Sequence, residues 1–227
     1  MTVYAYNNGK RRETLRKHVK TGFYVIKVFY LDRGYHMQAS RRLGVDSDDV
    51  KNCILKSYLL HDLGKAYGEM QDRIIKGRSA PGHEIISAIG ALKVLEGWEK
   101  GVIALSILLH HHAIRSIIKA IRELEERDIL RKPQKIHPDY WDEMGDIHRE
   151  LHVKRPPETI CYNDLTPLLN EVSRVYRNFK SSLNNAILDT NIALAYVILH
   201  PLITADVISA TLATKNIEVK TKDELVK

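Results

Sequence analysis

Cysteine is scarce in this 227-residue chain: Cys53 and Cys161 stand far apart and in no C-x-x-C spacing. That excludes a disulfide framework and a cysteine-based zinc site. Long apolar runs are also missing. The longest, residues 101–109, is interrupted by Ser106 and falls well short of the ~20 residues that span a bilayer. The N-terminus has no apolar signal core, so the expected compartment is the cytoplasm. No G-x-x-x-x-G-K-[ST] loop is present, and Gly64-Lys65-Ala66 does not supply one, so ATP-driven unwinding would have to come from a partner. There is no internal repeat and no low-complexity tract.

What is present is a basic, globular composition. Hydrophobic residues make up 44% and charged residues 28%, enough for a sizeable core, and the length suits a single domain over 1–227. Lys and Arg outnumber Asp and Glu by 35 to 28, for a net charge of +7. An excess of cations favours polyanions, because Lys and Arg displace counterions from phosphates. Lys10, Arg11, Arg12, Arg16, Lys17 and Lys20 crowd one segment with only Glu13 against them. A second basic group, Arg131, Lys132 and Lys135, lies in a proline-containing stretch, with Lys154 and Arg155 beyond. Solvated faces would look the same.

The hydrophobic spacing is helical almost throughout, so the expected fold is all-α, a helical bundle with the site at its centre. Leu15, Val19, Gly22, Phe23, Ile26 and Phe29 form one stripe. Asp46 or Ser47 can cap a second helix from about Asp48, with Gly64 marking its end. Further helices are expected over 82–96 and 99–112, the latter apolar on nearly every face and therefore central. Ile114, Ile117, Ile118, Ile121 and Leu124 make another stripe. Residues 128–159 carry Pro133, Pro138, Pro156 and Pro157 and read as an insertion or long loop containing a short helix over 140–151. Helices then cover 163–182 and 185–199, and Pro201 opens a last one to about 213. Residues 215–227 form a polar tail. Strands are expected only at 3–6 and 217–219.

The eleven histidines are more than a core needs. His18 sits on the apolar stripe of the first helix, His61 on that of the second. His83 starts the third, His110 and His111 end the most buried helix, and Asp206 shares a face with Leu202 and Ser209. Any one alone reads as a hydrogen-bonded core residue. Burying all of them uncompensated costs several kcal/mol. A divalent cation removes that cost, since neutral imidazoles and carboxylates become its ligands. Such a donor set suits manganese, iron, nickel, cobalt or zinc. Two carboxylates with several imidazoles can hold two ions, which clamp attacking and leaving oxygens at a phosphoryl centre. His61 and Asp62, adjacent on a helix, point about 100° apart and can serve one metal region from one element. Lys65, three residues on, reaches the same patch, to bind a phosphate or protonate a leaving oxygen.

His61-Asp62-Leu63-Gly64-Lys65 resembles the H-D-x-G-K signature of the HD-superfamily phosphohydrolases. The order His18, His61-Asp62, Gly82-His83-Glu84-x-x-Ser87-Ala88, His110-His111 and Ala205-Asp206 resembles, more narrowly, the stand-alone HD nuclease of type I CRISPR interference. That resemblance spans about 16–210. It implies a metal-dependent nuclease that cuts DNA, with single strands as the expected substrate and RNA as a further one. The partners it implies are a separate ATP-dependent helicase and an RNA-guided surveillance complex. It implies that His18, His61, Asp62 and Asp206 hold one metal, that His83, His110 and His111 hold a second, and that Asp62 bridges them. Magnesium joins the transition ions as a candidate. Catalytic roles fall to Asp62 and Lys65, and nucleic-acid contacts to Lys10, Arg11, Arg12, Arg16 and Lys17. The doublet is a triplet here, and His110-His111 is preferred over His111-His112 because the third would leave the buried helix. Two other readings stand beside this one: a phosphohydrolase of small nucleotides such as dNTPs or cyclic nucleotides, and a non-enzymatic nucleic-acid-binding subunit.

Overall fold

The computed structural model describes residues 2–111, 119, 131–184, 190–215 and 217. Among them the chain is mostly helical, with two small antiparallel strand pairs. β1 (Tyr4–Asn7) pairs with β2 (Arg12–Thr14), Tyr6 facing Glu13. α1 (Leu15–Ile26) follows at once. Thr14 caps it by accepting from Lys17 N at 3.1 Å, satisfying one of the amides a helix start leaves without partners. Its buried residues Leu15, His18, Val19, Gly22, Val25 and Ile26 form the expected stripe. A π-helical turn (Lys27–Leu31) then leads to α2 (Tyr35–Leu43).

α3 (Ser47–Leu60) is capped by Asp46, whose carboxylate accepts from Asp48 N and Asp49 N. It ends sooner than the position of Gly64 suggests. His61 is its C-cap, Asp62 lies in the turn beyond, and a 3-10 turn (Leu63–Ala66) carries the chain into α4 (Gly68–Ile75). His61 and Asp62 are therefore presented by a helix end rather than a continuous helix. α5 (His83–Val94) starts after Gly82, whose φ of 87° is one a side chain would strain. α6 (Glu99–Leu109) is buried at every position from Gly101 to Leu109, so it is the central helix.

The proline-containing stretch is no loose loop. Its described part holds β3 (Gln134–Lys135), α7 (Tyr140–Glu150) and β4 (Thr159–Ile160). Tyr140, Met144, Ile147, Val153 and Ile160 enter the common core. It is tied to the end of the 3-10 turn: His137 N donates to Ala66 O at 2.8 Å and Tyr67 Oη to Pro157 O at 2.7 Å.

α8 (Leu165–Asn184) precedes α9 (Thr190–Lys215). α9 corrects an expectation, for Pro201 lies inside one continuous helix rather than opening a new one. Proline has no N–H to offer the carbonyl four residues back, normally a serious defect. That carbonyl, Val197 O, instead accepts from Tyr35 Oη at 3.0 Å. Read unbroken, α9 is long and apolar enough to cross a membrane, which splitting it at Pro201 had hidden. It packs against α1, α3 and α6, and it carries Asp206 to the site. Of the other expectations, the stripe 114–124 and most of 215–227 lie outside the described residues, and Ile217 is in no strand.

Candidate metal centre

Four helices and the turn after α3 bring seven ligand-type side chains together. His18 comes from α1, His61 and Asp62 from the end of α3, His83 from the start of α5, His110 and His111 from the end of α6, and Asp206 from α9. They fall into two groups: His18, His61, Asp62 and Asp206, and His83, His110 and His111. Within each, one ligand atom per residue lies within 4.8 Å of the others. The expected second member of the doublet is present as His111; His112 lies outside the described residues.

The first motif is docked on the second by a close approach. A Cβ on Gly64 would stand 2.1 Å from His83 O, so no larger residue fits there. Gly64 N donates to Ser87 Oγ at 2.8 Å. The H-D turn thus rests on the first turn of α5, and His83 sits beside Asp62.

The imidazoles are oriented by their Nδ1 atoms. His61 Nδ1 lies 2.6 Å from Tyr58 O, His83 Nδ1 2.8 Å from Ala80 O, and His110 Nδ1 contacts Ile107 O. A carbonyl only accepts, so each Nδ1 carries the proton and Nε2 is the nitrogen aimed inward. This is the orientation metal-ligating histidines adopt. His18 differs: its Nδ1 lies 3.1 Å from Glu13 Oε2, a carboxylate.

The inward atoms make little sense as a protein-only network. His61 Nε2, His110 Nε2 and Asp62 Oδ1 are buried and without hydrogen-bond partners. His83 Nε2 is 3.1 Å from Asp62 Oδ1. In the neutral ring both are acceptors, so they repel unless a cation lies between them. Spacing fits an ion as well. Atoms bound at about 2.1 Å are about 3.0 Å apart when adjacent in an octahedron and about 3.4 Å in a tetrahedron. His18 Nε2 stands 3.2 Å from Asp206 Oδ1 and 3.5 Å from Asp62 Oδ2, and His61 Nε2 is 3.6 Å from each. Asp62 faces both groups, Oδ2 toward the first and Oδ1 toward His83. The donor set fits divalent cations of the transition series.

Burial opposes the charge on His18, but the hydrogen bonds with Asp206 and Glu13 outweigh it and push its pKa up to about 10 without metal. Burial would raise the Asp62 and Asp206 carboxyls. Lys65 and His61 hold Asp62 well below the usual range, and His18 and His61 do so for Asp206. Burial and neighbouring imidazoles push His111 down to about 4 and hold His110 well below the ordinary histidine value. Lys65 Nζ donates to Asp62 Oδ2 at 2.7 Å. It also lines an open pocket of about 660 Å³ with Tyr6, Asn8, Arg78, His83 and His111.

Of the basic residues, Lys17 is exposed on α1. Lys10 and Arg11 are exposed in the β1–β2 connection and Arg12 on β2, so they do not share the helix of His18. Arg16 is on that helix but is already engaged, by the Asp146 carboxylate and by Glu143 O. None of the five lines the pocket. Sequence reasoning missed Glu13, Tyr58 and Arg78 as parts of the site, and it named Ser87 in the motif around His83 without its contact to Gly64. For Glu13 there was a signal, a lone acid in a basic run five residues before His18.

Compared with known protein families and with characterised proteins, the chain matches no family model and no characterised sequence.

Proposed function

We propose that the chain is a metal-dependent phosphohydrolase of the HD type, a nuclease that hydrolyses phosphodiester bonds of single-stranded DNA. The observation that carries this reading is Asp62, whose two oxygens face two separate groups of inward-aimed imidazole nitrogens. His18, His61, Asp62 and Asp206 would hold one divalent ion and His83, His110 and His111 the other. Ions there supply Lewis-acid polarisation of a phosphoryl oxygen and a water of lowered pKa.

The chain's own residues do the positioning. The backbone carbonyls of Tyr58, Ala80 and Ile107 fix three imidazole planes. Lys65 orients the Asp62 carboxylate and presents an ammonium to the pocket, where a substrate phosphate would meet it. The apolar walls of α3, α5 and α6 keep bulk water from behind the ligands. By its resemblance the protein works in the cytoplasm in CRISPR antiviral defence, beside a separate ATP-dependent helicase and an RNA-guided surveillance complex.

A second reading, hydrolysis of small nucleotides, is favoured by the pocket. Its volume falls in the range of small-molecule sites, and Lys65 and Arg78 are the cations lining it. One experiment separates the two. Metal-free protein is reloaded with Mn²⁺ and given a labelled single strand, the same strand annealed, and a panel of dNTPs and cyclic nucleotides. The nuclease reading expects the single strand to be cut fastest and the duplex to be cut only when a helicase and ATP are added. Turnover confined to the nucleotide panel would replace it with the second reading. An absence of bound metal and of all turnover would leave neither.

A further inference from the structure

The two groups differ in what stands behind their histidines. In the second group, His83 and His110 lean on backbone carbonyls, as His61 does in the first. His18 Nδ1 instead has a carboxylate within hydrogen-bond distance, Glu13 Oε2 at 3.1 Å, both side chains being all but fully buried, whereas the carboxylate near His83 Nδ1, Glu84 Oε2, stands back at 3.7 Å. A buried carboxylate is costly unless it is paired. Among the described contacts of Glu13, His18 is the charge-capable partner, with no Lys or Arg in salt-bridge reach. The local structure fixes this pair tightly. Glu13 sits on β2 opposite Tyr6 and points inward, while its neighbours are exposed Arg12 and the helix cap Thr14. Because Thr14 starts α1, the rotation of α1, and with it the place of His18 one turn on, is set from the residue next to Glu13.

We infer that Glu13 is a positioning residue that acts through His18 to strengthen one ion site and not the other, making the two sites unequal. This rests on the metal-binding reading given above. A carboxylate accepting the Nδ1 proton draws that proton away from the ring and makes Nε2 the better donor, whereas a carbonyl does so less. The first group also contains both carboxylate ligands, Asp62 and Asp206, while the second contains imidazoles only. Charge therefore accumulates on the side of His18: Glu13, Asp62 and Asp206 surround its ring. An ion there would share Asp62 with the other site and have the ligand Asp206 and the hydrogen-bonded Glu13 to itself, whereas one among His83, His110 and His111 would have the shared Asp62 and, farther off, Glu84, 3.7 Å from His83 Nδ1.

The test uses the full chain and Co²⁺ or Mn²⁺ alone, with no substrate. Calorimetric titration of metal-free protein should resolve a tighter and a weaker step. Glu13→Ala should weaken the tighter step by 10- to 100-fold and leave the weaker one in place. Glu13→Gln, which retains an oxygen for the Nδ1 proton without the charge, should fall between the two. In the Co²⁺ form, each histidine bound through Nε2 has a paramagnetically shifted, exchangeable Nδ1 proton. Glu13→Gln should move one such signal and leave the others. A merely structural role would shift none of them selectively and would lower both affinities together. If wild type binds two ions and Glu13→Ala leaves both affinities unchanged, the inference is overturned and the metal reading stands. If wild type binds no ion, the metal reading itself fails, and this inference with it.

Discussion

His18 and Arg16 lie two residues apart on one helix and in opposite settings. His18 belongs to a buried centre in which two ring nitrogens and a carboxylate oxygen lack a protein partner. Arg16 belongs to a basic rim, and its guanidinium is already satisfied by Asp146 and Glu143. The contrast is one of unmet need. Buried polar atoms without partners are costly and call for a ligand, whereas a surface cation in a bidentate pair calls for nothing further. Function should therefore respond steeply to changes at the centre and mildly to changes at the rim.

The largest effect is expected at Asp62, which faces both groups. Chelation should abolish activity, and Mn²⁺ or a similar ion should restore it. Asp62→Ala should lower turnover by more than about 100-fold, beyond what the loss of a ligand's supporting partner costs. Helical circular dichroism should persist. The measurement is initial rate on a labelled single strand with metal content determined in parallel. Wild-type turnover in Asp62→Ala, or full cleavage by verified metal-free protein, would erase the distinction between centre and rim.

Next comes the contact that brings the two groups together. Gly64 has no room for a Cβ, because His83 O would lie 2.1 Å away. Gly64→Ala must push the H-D turn off α5, an overpacking expected to cost about 1–3 kcal/mol and to weaken both ion sites at once. Urea unfolding and metal titration read the two effects. An alanine variant with an unchanged midpoint and unchanged affinities would mean that the docking of Gly64 on α5 does not set the centre.

A third prediction concerns the proline-containing stretch beside the site. His148 is buried, with Tyr140 Oη 2.8 Å from its Nε2 and Lys154 O 3.3 Å from its Nδ1. Burial pushes its pKa down to about 4, against which the backbone hydrogen bonds act only partly. The folded state thus takes up this proton later than the unfolded one as pH falls. The stability tied to the neutral ring is present above the ordinary histidine value of 6.5 and is lost between that value and about 4. From pH 7 to pH 5 the loss should be about 2 kcal/mol. Comparing the pH dependence of the urea midpoint in wild type and His148→Gln isolates it. A wild type whose slope matches that of the glutamine variant would show that His148 is not held neutral.

How much of this was legible beforehand follows from the same contrast. Helical spacing says which residues face the core, so His18, His61, His83, His110 and Asp206 stood out as polar residues on apolar stripes, and the structure places them together. The ends of elements were less legible. Nothing in the spacing of α3 marks Leu60 as its last residue, because the 3-10 turn after it is as apolar as the helix. Pro201 misled because the group that replaces its missing hydrogen bond, Tyr35 Oη, is distant in sequence. The helices α2 and α4 were passed over because the sequence carries few apolar residues there; Ala39 is the buried residue of α2. Charge clustering was the poorest guide, since it reports neither direction nor pairing. Arg16 looked like its neighbours until Asp146, 130 positions away, proved to hold it.

That last point sets the smallest expected effect. If substrate phosphates reach the rim, each contact contributes to the salt dependence of binding, roughly −0.7 per contact on a logarithmic scale for a single strand. Lys10, Arg11 and Arg12 are exposed around the β1–β2 connection, and Arg12 rests over the Tyr4 ring, 5.9 Å from its centroid. Neutralising these three should flatten the slope by about two units, with little change in rate at low salt once substrate saturates. Arg16→Gln should leave the slope where it is, because its charge is already met by Asp146, and should instead cost a little stability. Binding of a labelled single strand, followed by anisotropy across a salt series, measures all of these on one axis. A slope unaffected by the triple change would make the cluster an ordinary solvated face. A slope that falls with Arg16→Gln would mean that the strand displaces Asp146, and that the rim is not as satisfied as its hydrogen bonds imply.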